Sequence, residues 1–237
     1  MPFTFSHPAA VLPLKKLSNG KLSLAGLIAG SIVPDFEYFI FMKSNYSHSL
    51  RGIFTFNMPV ALIILLIFFC LIRRDMLDNL PSFLHRRLAP TLEFDWLAYF
   101  RKNWLWVLIS ILLGTFTHIL WDSTTHRTGY FVVHSAFLSG QAAGFPVYRI
   151  LQYISTIFGA VIIAAYIYRL PCEKENKQKI NPLYWLSFTA LTLVLWHIIY
   201  KNWEVSVLWY TVVSFISATL WALVINSIFF RVKAKIL

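Results

Sequence analysis

Apolar residues in this chain occur in long uninterrupted runs rather than in the alternating patterns of soluble helices and strands. A helix needs about 20 mostly apolar residues to cross the hydrocarbon core of a bilayer. Five runs have about that length, so the sequence predicts five membrane-spanning helices. They cover residues 53–72, 104–121, 150–170, 183–200 and 205–230.

The N-terminal apolar segments are shorter than these runs. Residues 22–33 form a run of about half a span that stops at Pro34-Asp35, and residues 8–17 form another. Ser18-Asn19-Gly20 lies between them, and Asn-Gly is a turn dipeptide. We therefore predict a short helical hairpin over residues 8–33, neither arm of which is long enough to cross comfortably.

The composition supports a membrane protein. Of the 237 residues, 58% are hydrophobic, 17% are aromatic and only 13% are charged, whereas about a quarter of the residues of a soluble domain are charged. The predicted fold class is all-α: a polytopic membrane helical bundle of about five full spans plus the N-terminal hairpin, forming a single domain over residues 1–237.

The net charge of +11 does not indicate nucleic-acid binding, because the basic residues follow the loops instead of forming an aromatic-laced patch. Segments 73–103, 169–182 and 231–237 hold 13 of the 21 Lys and Arg residues, and the alternate connections hold 5. The positive-inside rule places the basic segments and the C-terminus in the cytoplasm. Residues 35–52 and 122–149 are then expected on the outer side.

Histidine and aspartate, residue types that commonly bind metals, lie at the ends of the apolar runs. Polar groups in or near hydrocarbon cost several kcal/mol unless they are paired, solvated or bound to an ion. The strongest motif is His118-Ile-Leu-Trp-Asp122, because residues four apart share a helix face, and His126 extends the row. Taken singly, a His–Asp pair can also satisfy itself. Five residues are the candidate ligands: His7, Asp35, His48, His118 and Asp122.

The distribution of Lys and Arg among the loops places four of these candidate ligands on one side of the membrane. None of the candidate ligands is a Lys or Arg, so the two observations are independent. Asp35 and His48 flank the first outer loop, and His118 and Asp122 precede the second. Taken singly, Asp35 would be interpreted as a helix cap and His48 as an interfacial histidine. His7 joins the set only if the hairpin tip points inward, as Lys15, Lys16 and Lys21 favour.

The ligand types indicate the metal. Imidazole and carboxylate ligands without cysteine suit zinc, with manganese or iron as alternatives, and leave positions open for water. Cys70 lies in a span and Cys172 on the cytoplasmic side, so neither a disulfide nor a cysteine metal site is expected.

At these residues the chain resembles a known family. Met1-Pro2-Phe3-Thr4-Phe5-Ser6-His7-Pro8-Ala9-Ala10, Gly30 to Tyr38, Ser47-His48-Ser49 and His118 to His126 closely resemble an uncharacterised bacterial integral-membrane family, a domain of unknown function. More distantly, the order His, Pro-Asp, Ser-His, His-x-x-x-Asp is similar to membrane-bound metal-dependent hydrolases and to zinc-dependent phospholipase C. That resemblance implies metal-assisted hydrolysis of a phosphoester, in a multi-pass protein of the bacterial inner membrane.

The expected function is therefore a membrane-embedded metal-dependent hydrolase whose metal-activated water attacks an ester or phosphoester. Glu37 or His126 would be the general base, and Arg51 or Arg127 would hold an anionic head group. Membrane lipid is the expected partner and a lipid-linked phosphoester the expected substrate, with the oligomeric state left open. An ion- or proton-coupled transporter and a non-catalytic membrane scaffold remain as alternatives.

Overall fold

The computed structural model describes residues 3–43, 46–173, 180–201 and 208–236, and it is helical apart from one short β-hairpin in the described part. This confirms the all-α fold class. The helices are α1 (Pro8–Leu17), α2 (Leu24–Ile32), α3 (Phe36–Phe41), α4 (Leu50–Asp78), α5 (Ser82–Leu88), α6 (Trp96–Thr125), α7 (Tyr130–Val133), α8 (Ala136–Ser139), α9 (Val147–Tyr168), α10 (Pro182–Lys201) and α11 (Leu208–Ile236). Strands β1 (Gln141–Ala142) and β2 (Phe145–Pro146) pair antiparallel.

Six helical stretches within the described ranges are long and apolar enough to cross a membrane. Five of them extend or closely match the predicted runs: Leu50–Asp78, Trp96–Val133, Val147–Tyr168, Pro182–Lys201 and Trp209–Arg231. Residues 205–207, at the start of the last predicted run, lie outside the described residues, as do residues 174–179 of the second basic segment.

The sixth stretch, Leu24–Phe41, corrects the prediction that the second hairpin arm ends at residue 33. Pro34 stands at the start of a 3₁₀ turn, Val33–Asp35. The first residues of a helical turn have no intrahelical partner for their N–H groups, so proline is tolerated there. The apolar helix therefore continues through Asp35 into α3 instead of stopping.

The first hairpin arm and its turn are confirmed. Helix α1 covers Pro8–Leu17, and the turn that follows places Asn19 at φ 50° and Gly20 at φ 79°. These left-handed conformations favour Asn and Gly. The Lys15 ammonium closes the turn by donating to the carbonyl oxygens of Gly20 and Leu22, both at 2.6 Å.

Two of the long helices are irregular. Helix α4 contains two π-helical turns, Ile53–Asn57 and Phe68–Ile72. Helix α6 has a non-helical residue, Asn103, directly before the predicted span 104–121. The Asn103 side-chain amide donates to the carbonyl oxygen of Tyr99 at 3.0 Å. A π turn shifts the helix register and is frequent at functional sites.

The chain divides into two compact units. One unit comprises Met1–Phe36, Asn45–Leu62 and Leu97–Arg169, and the other comprises Glu37–Ser44, Ile63–Trp96 and Leu170–Leu237. Their segments interleave along the sequence, so neither unit is a continuous stretch of chain. The single-domain interpretation stays a prediction.

In the first unit, α2 and α6 cross at two glycines. A Cβ on Gly30 would lie 2.1 Å from the Ile111 carbonyl oxygen, and one on Gly114 would lie 2.3 Å from that of Leu27. Only glycine permits such a close backbone approach. The Thr115 hydroxyl donates to the carbonyl oxygen of Gly30 at 3.2 Å, which fixes the register of the two helices.

Helix α9 holds the N-terminal segment of the same unit. The Ser6 hydroxyl donates to the Thr156 carbonyl oxygen at 3.0 Å, and Ser6 packs directly on Gly159. The Trp121 indole N–H donates to the Ser155 hydroxyl at 3.0 Å. These contacts bring the 3₁₀ turn Thr4–Ser6, and His7 after it, against α6.

The second unit is built on α10 and α11. Asn226 of α11 is fully buried; its amide N–H donates to the Tyr184 carbonyl oxygen at 3.2 Å and its amide oxygen accepts from Ser187 at 2.7 Å. The Trp185 indole donates to the Asn79 carbonyl oxygen at 2.7 Å. A buried polar group costs little when it is hydrogen-bonded, so these bonds hold the helices without a large penalty.

Candidate metal centre

Four of the five predicted ligands converge at one point in the first unit. One ligand atom from each of Asp35, His48, His118 and Asp122 lies within 4.8 Å of all the others. The predicted convergence is therefore confirmed. His118 and Asp35 are fully buried, Asp122 is 6% exposed and His48 is half-buried.

The glycine crossing of α2 and α6 sets the position and the tautomer of His118. Its Nδ1 atom lies 2.7 Å from the carbonyl oxygen of Ser31, one residue after Gly30. A carbonyl oxygen only accepts, so Nδ1 carries the proton and donates. In the neutral ring the lone pair then stays on Nε2, the atom that faces Asp122 Oδ2 at 3.2 Å and Asp35 Oδ1 at 3.6 Å.

Asp35 lies in the 3₁₀ turn that links α2 to α3. The Thr4 hydroxyl donates to its Oδ2 atom at 2.5 Å. This bond fixes the carboxylate and leaves Oδ1 directed at His118. Hydrogen-bond donors of this kind orient a metal ligand and tune its affinity for the metal.

His48 lies in a loop before α4 that is fixed by contacts with Gly52 and Asn57. Gly52 approaches this loop so closely that a Cβ there would lie 1.9 Å from the Tyr46 carbonyl oxygen. The Asn57 amide, in the first π turn of α4, donates to the Ser47 carbonyl oxygen at 2.7 Å. His48 Nε2 then lies 3.7 Å from Asp122 Oδ2.

His7 reaches the cluster, a contact that the sequence left dependent on the orientation of the hairpin tip. Its Nε2 atom lies 3.5 Å from Asp122 Oδ1, and its ring stacks on His118 with the centroids 3.9 Å apart. Burial and, to a smaller extent, the neighbouring His118 lower the pKa of His7 to about 3, although the Asp122 carboxylate opposes the shift. The ring is therefore neutral at pH 7, which is the form that binds metals.

The remaining predicted residues lie around the cluster or apart from it. His126 Nδ1 is 3.5 Å from Asp122 Oδ1 and 3.0 Å from the Asp122 carbonyl oxygen. Arg51 in α4 and Arg127 after α6 are exposed. Glu37 is buried on α3 and belongs to the second unit. The catalytic and substrate-binding roles of these residues stay predictions.

Six buried polar atoms of the cluster have no hydrogen-bond partner among the described residues. They belong to four side chains and are His7 Nδ1, His7 Nε2, Asp35 Oδ1, His118 Nε2, Asp122 Oδ1 and Asp122 Oδ2. Each such atom costs about 1–3 kcal/mol when it is left unsatisfied, and more than 90% of buried polar groups in folded proteins are paired. Unpaired imidazole and carboxylate atoms concentrated at one buried point fit a metal-ligand set, because buried charges are paired or coordinate metals.

The spacing of the ligand atoms also fits a metal. Bonds of about 2.0–2.1 Å at tetrahedral angles separate neighbouring ligand atoms by roughly 3.3 Å. The nitrogen–oxygen distances around His118 and His48 are 3.2, 3.6 and 3.7 Å. Three of the six pairwise separations thus lie near the edge length of such a tetrahedron, and one ligand atom from each of the four side chains lies within 4.8 Å of the others.

Sequence reasoning missed the supporting groups. Thr4 and Asn57 are buried polar residues whose partners lie 31 and 10 residues away. Thr4 stands within the N-terminal motif, but its partner follows only from tertiary packing. The Ser31 carbonyl oxygen leaves no signal in the sequence, because every residue carries one.

Residues 1–228 match the family described as Domain of unknown function (DUF4184). The chain belongs to this family. The match includes all five candidate ligands, and it confirms the resemblance to a domain of unknown function. No curated protein and no solved structure matches the chain.

Proposed function

We propose that this protein is a membrane-embedded metal-dependent hydrolase whose metal centre is the cluster in the first unit. The observation that carries the proposal is the set of unpaired buried ligand atoms at tetrahedral spacing around His118 Nε2. Asp35, His48, His118 and Asp122 would hold the ion. Zinc is the preferred metal, because it takes four nitrogen and oxygen ligands tetrahedrally, with manganese or iron as alternatives.

The charge of the cluster supports a divalent cation. Asp35 and Asp122 carry two negative charges into a buried site, and no Lys or Arg side chain within 4.0 Å pairs with them among the described residues. Among the described residues, their ion-pair partners within that distance are the neighbouring imidazoles. Buried carboxylates are paired or coordinate metals, and a divalent ion neutralises both while the histidines stay neutral.

A bound ion would lower the pKa of a coordinated water toward neutrality and stabilise the developing oxyanion. The chain supplies the base. His126 donates its Nδ1–H to the Asp122 carbonyl oxygen, so the lone pair of the neutral ring is on Nε2. That nitrogen is the acceptor we assign for the proton of the attacking water.

The exposed side of the cluster indicates where a substrate enters. The side chains of His48 and His126 are 32% and 29% exposed, whereas those of His7 and His118 are 1% or less exposed. Each of these two half-buried histidines is followed closely in sequence by an exposed arginine, Arg51 after His48 and Arg127 after His126. Guanidinium groups form strong paired hydrogen bonds with phosphates, which supports an anionic head group at this opening.

A lipid or lipid-linked phosphoester is the substrate class we propose. Exposed aromatic side chains follow His126 in α7 and α8, among them Tyr130 at 64% and Phe137 at 73%. Aromatic residues are enriched at the membrane–water boundary. The resemblance to membrane-bound metal-dependent hydrolases and zinc-dependent phospholipase C supports the same class and a bacterial inner-membrane location. The distribution of basic residues among the loops favours a cytoplasmic C-terminus and a centre on the outer side.

A second function, ion- or proton-coupled transport, is favoured by one observation. Asp35, His118 and Asp122 lie inside stretches long and apolar enough to cross a membrane, and buried ionisable residues in such stretches often line ion or proton paths. The third alternative, a scaffold, would need neither a metal nor a flux.

Metal analysis of the purified protein tests the proposal. We expect stoichiometric zinc or manganese in the parent protein and loss of the ion in His118→Ala and Asp122→Ala. His197→Ala is the control, because His197 is an exposed histidine on α10 in the second unit. The parent should also hydrolyse a chromogenic phosphodiester in a metal-dependent way. A metal-free, inactive parent would reject the hydrolase, and ion flux in vesicles would then favour the transporter.

A further inference from the structure

Both carboxylate oxygens of Asp122 are buried and lack a hydrogen bond, and they face different histidines. Oδ2 lies 3.2 Å from His118 Nε2 and 3.7 Å from His48 Nε2. Oδ1 lies 3.5 Å from His7 Nε2 and 3.5 Å from His126 Nδ1. One aspartate therefore separates the cluster into two groups of ligand atoms.

The Oδ2 group is the site already described. Its atoms are His118 Nε2, His48 Nε2, Asp35 Oδ1 and Asp122 Oδ2, and they supply four protein ligands for one ion, which would take the coordinated water as a fifth ligand. His7 is not needed there. It nevertheless carries two unpaired nitrogens while its side chain is only 1% exposed.

The Oδ1 group has the spacing of a second ion. His7 Nε2 and Asp122 Oδ1 are 3.5 Å apart without forming a hydrogen bond, close to the separation of roughly 3.3 Å between two ligands of one tetrahedral metal. A hydrogen bond to the Asp122 carbonyl oxygen already uses His126 Nδ1, so His7 is the nitrogen ligand on this side.

We propose that the centre binds two divalent ions, with Asp122 as the bridging carboxylate and His7 as the nitrogen ligand of the second ion. This inference rests on the proposed metal centre and extends it. The second ion has only His7 and Asp122 as assigned protein ligands, so its other positions are open to water and substrate. Two ions roughly 3.5–4 Å apart can stabilise both the attacking and the leaving oxygen of a phosphoester, which favours phosphoesters within the proposed substrate class.

Metal counting on the full-length protein in detergent tests the inference. The protein is stripped with a chelator, reloaded with Mn²⁺ or Zn²⁺ alone, and its metal content per chain is measured. We expect two ions in the parent and one in His7→Phe, which keeps a ring stacked on His118 but has no ligand nitrogen. His197→Phe, the matched control on the exposed face of α10, should keep two.

The outcomes separate the second ion from the first. A parent with one ion overturns this inference and leaves the proposed metal centre intact, whereas a parent with none overturns both. Retention of two ions by His7→Phe also overturns the assignment of His7.

A spectroscopic measurement on the parent does not depend on the variant folding. In a Mn²⁺ titration followed by electron paramagnetic resonance, two ions that share Asp122 should couple. The six-line signal of an isolated ion should therefore be lost as the second equivalent binds. A six-line signal that doubles in intensity at two equivalents would contradict a bridged pair.

Discussion

The close crossing of α2 and α6 leads to a prediction about Gly114→Ala. The added methyl group would lie 2.3 Å from the Leu27 carbonyl oxygen and 2.8 Å from the Ser31 backbone nitrogen. An ordinary contact needs at least 3.4 Å, so the helices must separate by about 1 Å. The hydrogen bond from His118 Nδ1 to the Ser31 carbonyl oxygen, now 2.7 Å long, would then exceed the limit of about 3.2 Å for such bonds.

The size of the effect follows from three contributions. Overpacking costs about 1–3 kcal/mol, and loss of the hydrogen bond costs about 0.5–1.5 kcal/mol. The better helix propensity of alanine returns about 1 kcal/mol. We therefore expect a net loss of about 0.5–3.5 kcal/mol in the free energy of unfolding. Metal affinity should fall about 10–100-fold, as it does when a group that orients a metal ligand is removed.

Unfolding in detergent and metal titration measure the two effects. Ala164→Leu is the control, because it adds a larger side chain at an exposed position of α9, and it should change neither quantity appreciably. Parent-like stability and parent-like metal affinity in Gly114→Ala would refute the argument that this crossing positions His118.

Three further outcomes are expected. Removal of the metal by a chelator should lower the unfolding temperature, because ligand at 1,000 times its Kd stabilises the folded state by about 4 kcal/mol; an unchanged temperature would contradict a buried ion. Asn57→Leu removes the bond to the Ser47 carbonyl oxygen and should weaken metal binding about 10-fold without changing the number of ions. Asn103→Leu, whose partner is only the local Tyr99 carbonyl, is its control and should bind metal normally. A reporter enzyme fused to the C-terminus should be active only in the cytoplasm; activity only outside would reverse the topology and move the centre to the cytoplasmic face.

The sequence determined the fold class and identified the residues that form the cluster. Apolar runs of spanning length are a local property, because each helix satisfies its own backbone hydrogen bonds in lipid. The pair His118 and Asp122 was also predictable locally, since residues four apart share a helix face. The distribution of basic residues among the loops indicated that Asp35 and His48 lie on the same side as this pair.

The length of the Leu24–Phe41 stretch was decided by local geometry that the sequence left ambiguous. Proline ends many helices, and the Pro34-Asp35 dipeptide therefore indicated a stop. In the structure Pro34 opens a 3₁₀ turn, where its missing N–H costs no hydrogen bond, and the helix continues.

Only the tertiary structure decided how the ligands are oriented. The tautomer of His118 depends on the Ser31 carbonyl oxygen, and the carboxylate of Asp35 on the Thr4 hydroxyl. The two carboxylate oxygens of Asp122 face different histidines, and one of these is His7. His7 reaches the cluster because Ser6 is hydrogen-bonded to α9. Hydrophobic periodicity specifies which helix face a residue occupies, and loop charge specifies its side of the membrane. The orientation of a side chain to within about an ångström comes from contacts between segments that are distant in the chain. The sequence pattern does not encode these contacts.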